Sequence, residues 1–212
     1  MIFLGSIIIF AFIILFSSAV LGCLLGVFFE KNKIYRVLKG FWGGVLLSFM
    51  CFSFITEVFY RSGIIYSLIF VFGGIIFSLF YEKYIGNFFV EAILCFFGGI
   101  VVGSVFMSSG ESFIYSSFFT GLYIMSCIVG GNIRFKFFYS FFMAFSGVIS
   151  IYLNFCYDKN AEFIYAMSGG AILYVICKDV LPEKITLSED FFVCCASLIG
   201  FIAGIGIFGV NL

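Results

Sequence analysis

The chain has 212 residues, 64% of them hydrophobic and 10% charged, with a mean hydropathy of +1.25 and no formal net charge. A soluble domain carries about 25% charged residues, so the composition excludes one, and balanced charge implies no nucleic-acid or acidic-substrate partner. No polar stretch is long enough to fold by itself, which predicts a single all-α, polytopic integral membrane domain over residues 1–212.

A membrane span needs about 20 apolar residues. Charged and polar breaks divide the chain into eight such runs, at 2–29, 40–59, 63–81, 85–107, 113–131, 137–157, 163–181 and 191–210. The first run has no basic start and is longer than the apolar core of a signal peptide, so it reads as a retained span. After it come Lys31, Lys33, Arg36 and Lys39. Alternate loops then collect Lys83, Arg134 and Lys136, and Lys178 and Lys184, leaving only Arg61 and Lys159 for the other side. The positive-inside rule therefore predicts a multi-pass protein of the cell membrane with both termini outside the cytoplasm.

Gly-Gly pairs punctuate the spans at Gly43-Gly44, Gly73-Gly74, Gly98-Gly99, Gly130-Gly131 and Gly169-Gly170, with small-xxx-small spacings at Gly22/Gly26, Gly40/Gly44, Gly99/Gly103 and Gly200/Gly204. Such residues let helices approach closely where apolar contact alone supplies little drive. The eight cysteines are scattered through apolar segments, unlike a secreted disulfide framework, and no disulfides are expected. Leu94 to Gly99 and Ser126 to Gly131 echo each other, each with Cys, two bulky apolar residues and Gly-Gly.

Ionisable residues at the span ends are the first candidate site groups, because burying their charge is costly. Glu57 ends the second span, Glu91 enters the fourth, and Asp179 and Glu183 end the seventh. Asp179 and Glu183 are four apart and share a helical face if the helix continues past Pro182. They suit a shared cation or, with Lys178 and Lys184, a local ion-pair cluster. Glu57 and Glu91 suit either a pathway mouth or a solvated headgroup level. Cys95 and Cys127, with Cys51, offer thiols for a soft ion such as copper(I) or zinc, against simple packing as small apolar residues. The chain has no His for general-base work and no acidic pair deep in a span, so no enzyme is expected.

Phe41-Trp42-Gly43-Gly44-Val45-Leu46-Leu47-Ser48-Phe49-Met50-Cys51-Phe52, leading to Ile55-Thr56-Glu57, resembles the second span of prokaryotic ZIP-family metal transporters, a G-x-M-L-S-type helix closing on L-P-E-A. Ser168-Gly169-Gly170-Ala171-Ile172-Leu173-Tyr174-Val175, followed by Leu181-Pro182-Glu183, is similar to that family's seventh span. The resemblance implies an eight-helix bundle and a permease for divalent cations such as zinc. It makes Glu57 the outer entrance and Asp179 with Glu183 the cytoplasmic exit. The family's H-N-x-P-E-G-type metal motifs fall on Leu94 to Gly99 and Ser126 to Gly131, where their His and Glu ligands are replaced. The sixth-span acidic ligand falls near Ser150. The resemblance thus leaves three functions open: a divalent-metal permease, a homologue that has lost transport and serves as a membrane partner or scaffold, and a carrier of another solute. The expected partners are the lipid bilayer and a metal ion as substrate, with no cofactor beyond that ion, and a homo-oligomer is compatible with such a bundle.

Overall fold

The computed structural model describes residues 2–29, 33–84, 87–108, 120–125, 136–156, 162–180 and 189–208. Among these, every residue but Gly63 is helical. Helix α1 spans Ile2–Phe29, α2 Lys33–Phe49 and α3 Ile55–Ser62, with a π-helical turn Met50–Phe54 between the last two. Helices α4 (Ile64–Tyr84) and α5 (Asn87–Ser108) follow, then α6 (120–125), α7 (Lys136–Cys156), α8 (Glu162–Val180) and α9 (Glu189–Phe208).

α2, the π turn and α3 form one continuous rod, Lys33–Ser62. The helix starts before the predicted span at 40, because nothing in Lys33-Ile34-Tyr35-Arg36-Val37-Leu38-Lys39 breaks it. The π turn inserts one residue's worth of slack. The Thr56 hydroxyl donates to the Cys51 carbonyl at 3.1 Å, satisfying an acceptor there. Met50 and Phe54 are buried, and a Cβ on Gly169 of α8 would press against the Phe54 ring. Gly63 ends the rod with φ +87°, a conformation that suits glycine alone. The Ser67 hydroxyl then reaches back to the Val58 carbonyl at 3.2 Å, closing an antiparallel hairpin between α3 and α4.

Among the described residues, Ile8–Leu25, Lys33–Ser62 and Phe137–Asn154 are long and apolar enough to cross a membrane. The surface carries large apolar side chains: Ile9 and Ile13 on α1, Ile65, Ile69 and Phe72 on α4, Phe137, Phe141 and Phe145 on α7, and Leu198 and Ile202 on α9 are all exposed. Among the described residues, tyrosines and cysteines apart, the buried polar side chains are serines: Ser18, Ser48, Ser67, Ser78, Ser140, Ser146, Ser150, Ser168 and Ser197. A large apolar exterior, over an apolar core interspersed with serines, suits a hydrocarbon surrounding.

Glycines set the helix pairs. α2 runs parallel to α9: a Cβ on Gly44 would collide with the Ser197 carbonyl, and one on Gly200 with the Phe41 carbonyl. α4 runs parallel to α8 in the same way: Gly170 lies on the Val71 carbonyl and Gly74 on the Met167 carbonyl. The same number of residues separates Phe41 from Met167, Gly44 from Gly170, Val71 from Ser197 and Gly74 from Gly200. The α2–α4 and α8–α9 units therefore make equivalent contacts with each other. Each lends a helix to the other, and they point in opposite directions, since α2 is antiparallel to α4 but parallel to α9.

The remaining helices make a similar pair of contacts, at other separations along the chain. Gly99 of α5 packs on Ser146 of α7, and Gly121 of α6 packs on Ser18 of α1. Ser18 and Ser146 each return their hydroxyl to the carbonyl three residues earlier, Leu15 at 2.8 Å and Met143 at 2.9 Å. One turn on, Ser150 meets Ile100 and Gly22 meets Leu122. Within the described residues it is Gly121 that takes the place equivalent to Gly99. The echo at Ser126 to Gly131 lies outside them.

Candidate functional site: a polar seam between α5 and α7

Helix α7 is written KFFYSFFMAFSGVISIYLNFC. Its polar and small residues, Tyr139, Ser140, Ser146, Gly147, Ser150 and Asn154, recur at three- and four-residue steps and so share one face. Phe137, Phe141, Phe145 and Tyr152 occupy the opposite, exposed face. The polar face lies along α5, to which α7 runs parallel: Phe96 meets Phe142, Gly99 meets Ser146 and Gly103 meets Gly147 and Ser150. The glycines bring the two backbones together, and the serines fill the seam.

At one end the seam is a hydrogen-bonded chain. Arg61 of α3 pairs with Glu57 one turn earlier and donates from its guanidinium to Asn154 Oδ1 at 3.4 Å. Asn154 Nδ2 donates to the Tyr165 hydroxyl at 3.1 Å, and that hydroxyl donates to the Ser150 carbonyl at 2.8 Å. The Ser150 hydroxyl, fully buried, donates to the Ile100 carbonyl of α5 at 2.8 Å. Helices α3, α7, α8 and α5 are thereby joined from an exposed ion pair to the interior. Glu57 and Arg61 are both exposed, so their pairing contributes no more than about 1 kcal/mol.

Deeper along the seam the donors become soft. The buried Cys95 thiol of α5 donates to the Met125 sulfur of α6 at 3.7 Å. Cys23 of α1 lies 3.6 Å from the Ser140 hydroxyl and within electrostatic reach of Cys95. At the far end the Tyr139 ring is buried, and its hydroxyl lies within hydrogen-bonding reach of the Glu91 carboxylate. Carboxylates thus stand at both ends of the seam, with hydroxyl, amide, thiol and thioether groups between.

The sequence-derived candidates distribute unevenly over this geometry. Glu57 sits at the exposed end of the seam, paired with Arg61. Cys95 lies in the middle of the seam. Ser150, at the position matched to an acidic ligand, does face α5, but through a backbone carbonyl. Asp179 lies in the last turn of α8, while Glu183 and Cys127 lie outside the described residues. Cys51 is exposed and within reach of Cys177 on α8, so it does not join Cys95. Among the described residues no three His, Cys, Asp or Glu side chains are grouped to hold a metal.

Tyr139, Asn154 and Tyr165 were not picked out by charge or motif. The signal for the first two is the helical spacing of polar residues through 136–156, visible once the phenylalanines are assigned to the outer face. Tyr165 has no such signal, because its partner lies on another helix. Apart from the seam, an apolar groove of about 590 Å³ between the starts of α2 and α9 is lined by Ile34, Val37, Leu38, Phe192 and Val193, with Lys33 and Arg36. No protein-family model, curated protein or solved structure matches the chain.

Proposed function

We propose that the chain is a membrane permease for metal cations, with eight spans arranged as a ZIP-like bundle and both termini outside the cytoplasm. The observation that carries this reading is the polar seam, which runs along α5 and α7 from the Glu57–Arg61 pair to the Tyr139–Glu91 pair. Polar groups are costly in hydrocarbon, and a row of them along one helix interface inside a bundle is what a substrate or ion path would need. The inverted relation of the α2–α4 and α8–α9 units supports it. Transporters built from inverted repeats carry their sites at the repeat interface and alternate access by rocking one unit against the other. The resemblance of the second and seventh spans to ZIP proteins suggests the cargo, a divalent ion such as zinc.

A second reading, a bundle that has lost transport and serves as a membrane partner, is favoured by one observation. The carboxylate at the mouth is matched by Arg61, so the entrance carries no net attraction for a cation.

Uptake of radiolabelled zinc into proteoliposomes, with manganese, iron and copper(I) as competitors, separates the two. The permease reading expects saturable uptake that falls at least about tenfold with Asn154→Leu or Ser150→Val, with protein levels in the vesicles unchanged. Uptake at the level of empty liposomes, from protein whose helicity and monodispersity are intact, overturns it in favour of the second.

A further inference from the structure

We infer that Cys95, Met125 and Cys23 form a soft-metal site within the seam, and that its ion is copper(I). The inference rests on the seam being a metal path, and it replaces the divalent cargo implied by the ZIP resemblance with a soft, monovalent ion. Three sulfurs arrive from three helices, α5, α6 and α1, and none is exposed by more than 3%. The Cys95 proton is directed at the Met125 sulfur across 3.7 Å, so a cation that replaces that proton lands between two donors already aimed at each other. With metal–sulfur bonds of about 2.3 Å, a 3.7 Å separation corresponds to an S–metal–S angle of roughly 107°, which is bent and leaves a position for a third sulfur. Cys23, 3.6 Å from the Ser140 hydroxyl, carries the thiol whose charge Cys95 feels, and we assign it as the third donor.

The donor set chooses the ion. Thioether and thiolate together favour copper(I) over harder divalent ions, which prefer oxygen and imidazole. Charge points the same way. Copper(I) displaces one proton from the Cys95 thiol, forming a Cu–S bond and releasing H⁺, while Met125 and Cys23 remain neutral donors. The occupied site is then uncharged in a low-dielectric interior. A divalent ion on the same single thiolate leaves a buried positive charge, which the low-dielectric interior strongly disfavours. Zinc would need both thiols ionised and a fourth good ligand. No change of oxidation state is involved, because the ion enters and leaves as copper(I).

The test is anaerobic titration of the purified full-length chain with copper(I) against a colorimetric copper(I) chelator, in a variant whose six other cysteines are serine. The site predicts one ion per chain, sulfur-only coordination by X-ray absorption, and a copper–selenium signal in selenomethionine-labelled protein that disappears with Met125→Leu. Affinity should fall roughly 10- to 100-fold with Met125→Leu, in the range for loss of a supporting contact at a metal site, and further with Cys95→Ser. If the six-serine background does not fold, Met125→Leu in the otherwise unaltered chain gives the same readout, because loss of the copper–selenium signal needs no stoichiometry. Unchanged affinity in both variants, or coordination by oxygen and nitrogen alone, overturns the site. Copper(I) bound at these sulfurs in protein whose vesicles take up no metal supports the site and counts against the permease. Zinc uptake without copper(I) binding at these sulfurs overturns the site and leaves the permease standing.

Discussion

The Ser150 hydroxyl donates to the Ile100 carbonyl at 2.8 Å, across the line where α7 packs on α5. That carbonyl belongs to a helical residue, so it accepts from a neighbouring helix in addition to its own ladder. The bond is possible because Gly99 and Gly103 remove the side chains that would hold α7 away. Inside a membrane such a bond contributes about 0.6 kcal/mol, and up to about 1.7. Ser150→Ala should therefore lower stability by about 0.5–1.5 kcal/mol in detergent unfolding. Tyr165→Phe should cost a similar amount, because it removes the donor to the Ser150 carbonyl.

Gly44 and Gly170 should respond alike to substitution, because they hold equivalent places in the two units. A Cβ on either would strike a carbonyl of the facing helix, Ser197 or Val71, and backbone atoms cannot swing aside. Ala at either position should destabilise by about 1–3 kcal/mol, and Leu should prevent accumulation of folded protein. Gly73 is the control: nothing lies within 4 Å of a Cβ there, so Gly73→Ala should be neutral or slightly stabilising. Equal losses at Gly44 and Gly170, read by thermal unfolding, would verify the repeat. A loss at one alone would contradict it.

Charge at the mouth gives a signed prediction. Glu57→Gln leaves the Arg61 charge uncompensated and should slow cation uptake about threefold to tenfold at low ionic strength. Arg61→Gln leaves the carboxylate and should raise uptake, and both effects should shrink as salt rises past 0.15 M, where the screening length is about 8 Å. Changes of the same sign in both variants would remove Glu57 from the path.

The rod Lys33–Ser62 has 30 residues. At 1.5 Å per residue it is about 45 Å long, more than the roughly 30 Å hydrocarbon core. Lys33 and Arg61 should thus sit on opposite sides of the membrane. In a chain without other cysteines, K33C should react with an impermeant maleimide only from the cytoplasmic side, and R61C only from outside. Labelling of both from one face would refute the span and its orientation.

Hydropathy determined by itself that this chain is helical and apolar, and the Gly-Gly pairs announced where helices would touch. Gly44, Gly74, Gly99 and Gly170 do lie at helix contacts, because a missing side chain is useful in lipid only where another backbone comes near, whereas Gly73 meets nothing and Gly130-Gly131 lies outside the described residues. The sequence also placed Cys95, Ser150 and Glu57 on the relevant helices. It did not say what they would meet. Apolar faces are interchangeable to lipid, so the pattern on one helix carries little information about its partner, which is chosen by shape. Tertiary structure alone decided that Gly44 faces Ser197, that Arg61 reaches Asn154 on α7, and that Cys95 finds the sulfur of Met125. The relation between the two hairpin units was hidden for the same reason. Close packing constrains the few residues at each contact, while the outward positions between them are free to be any apolar side chain.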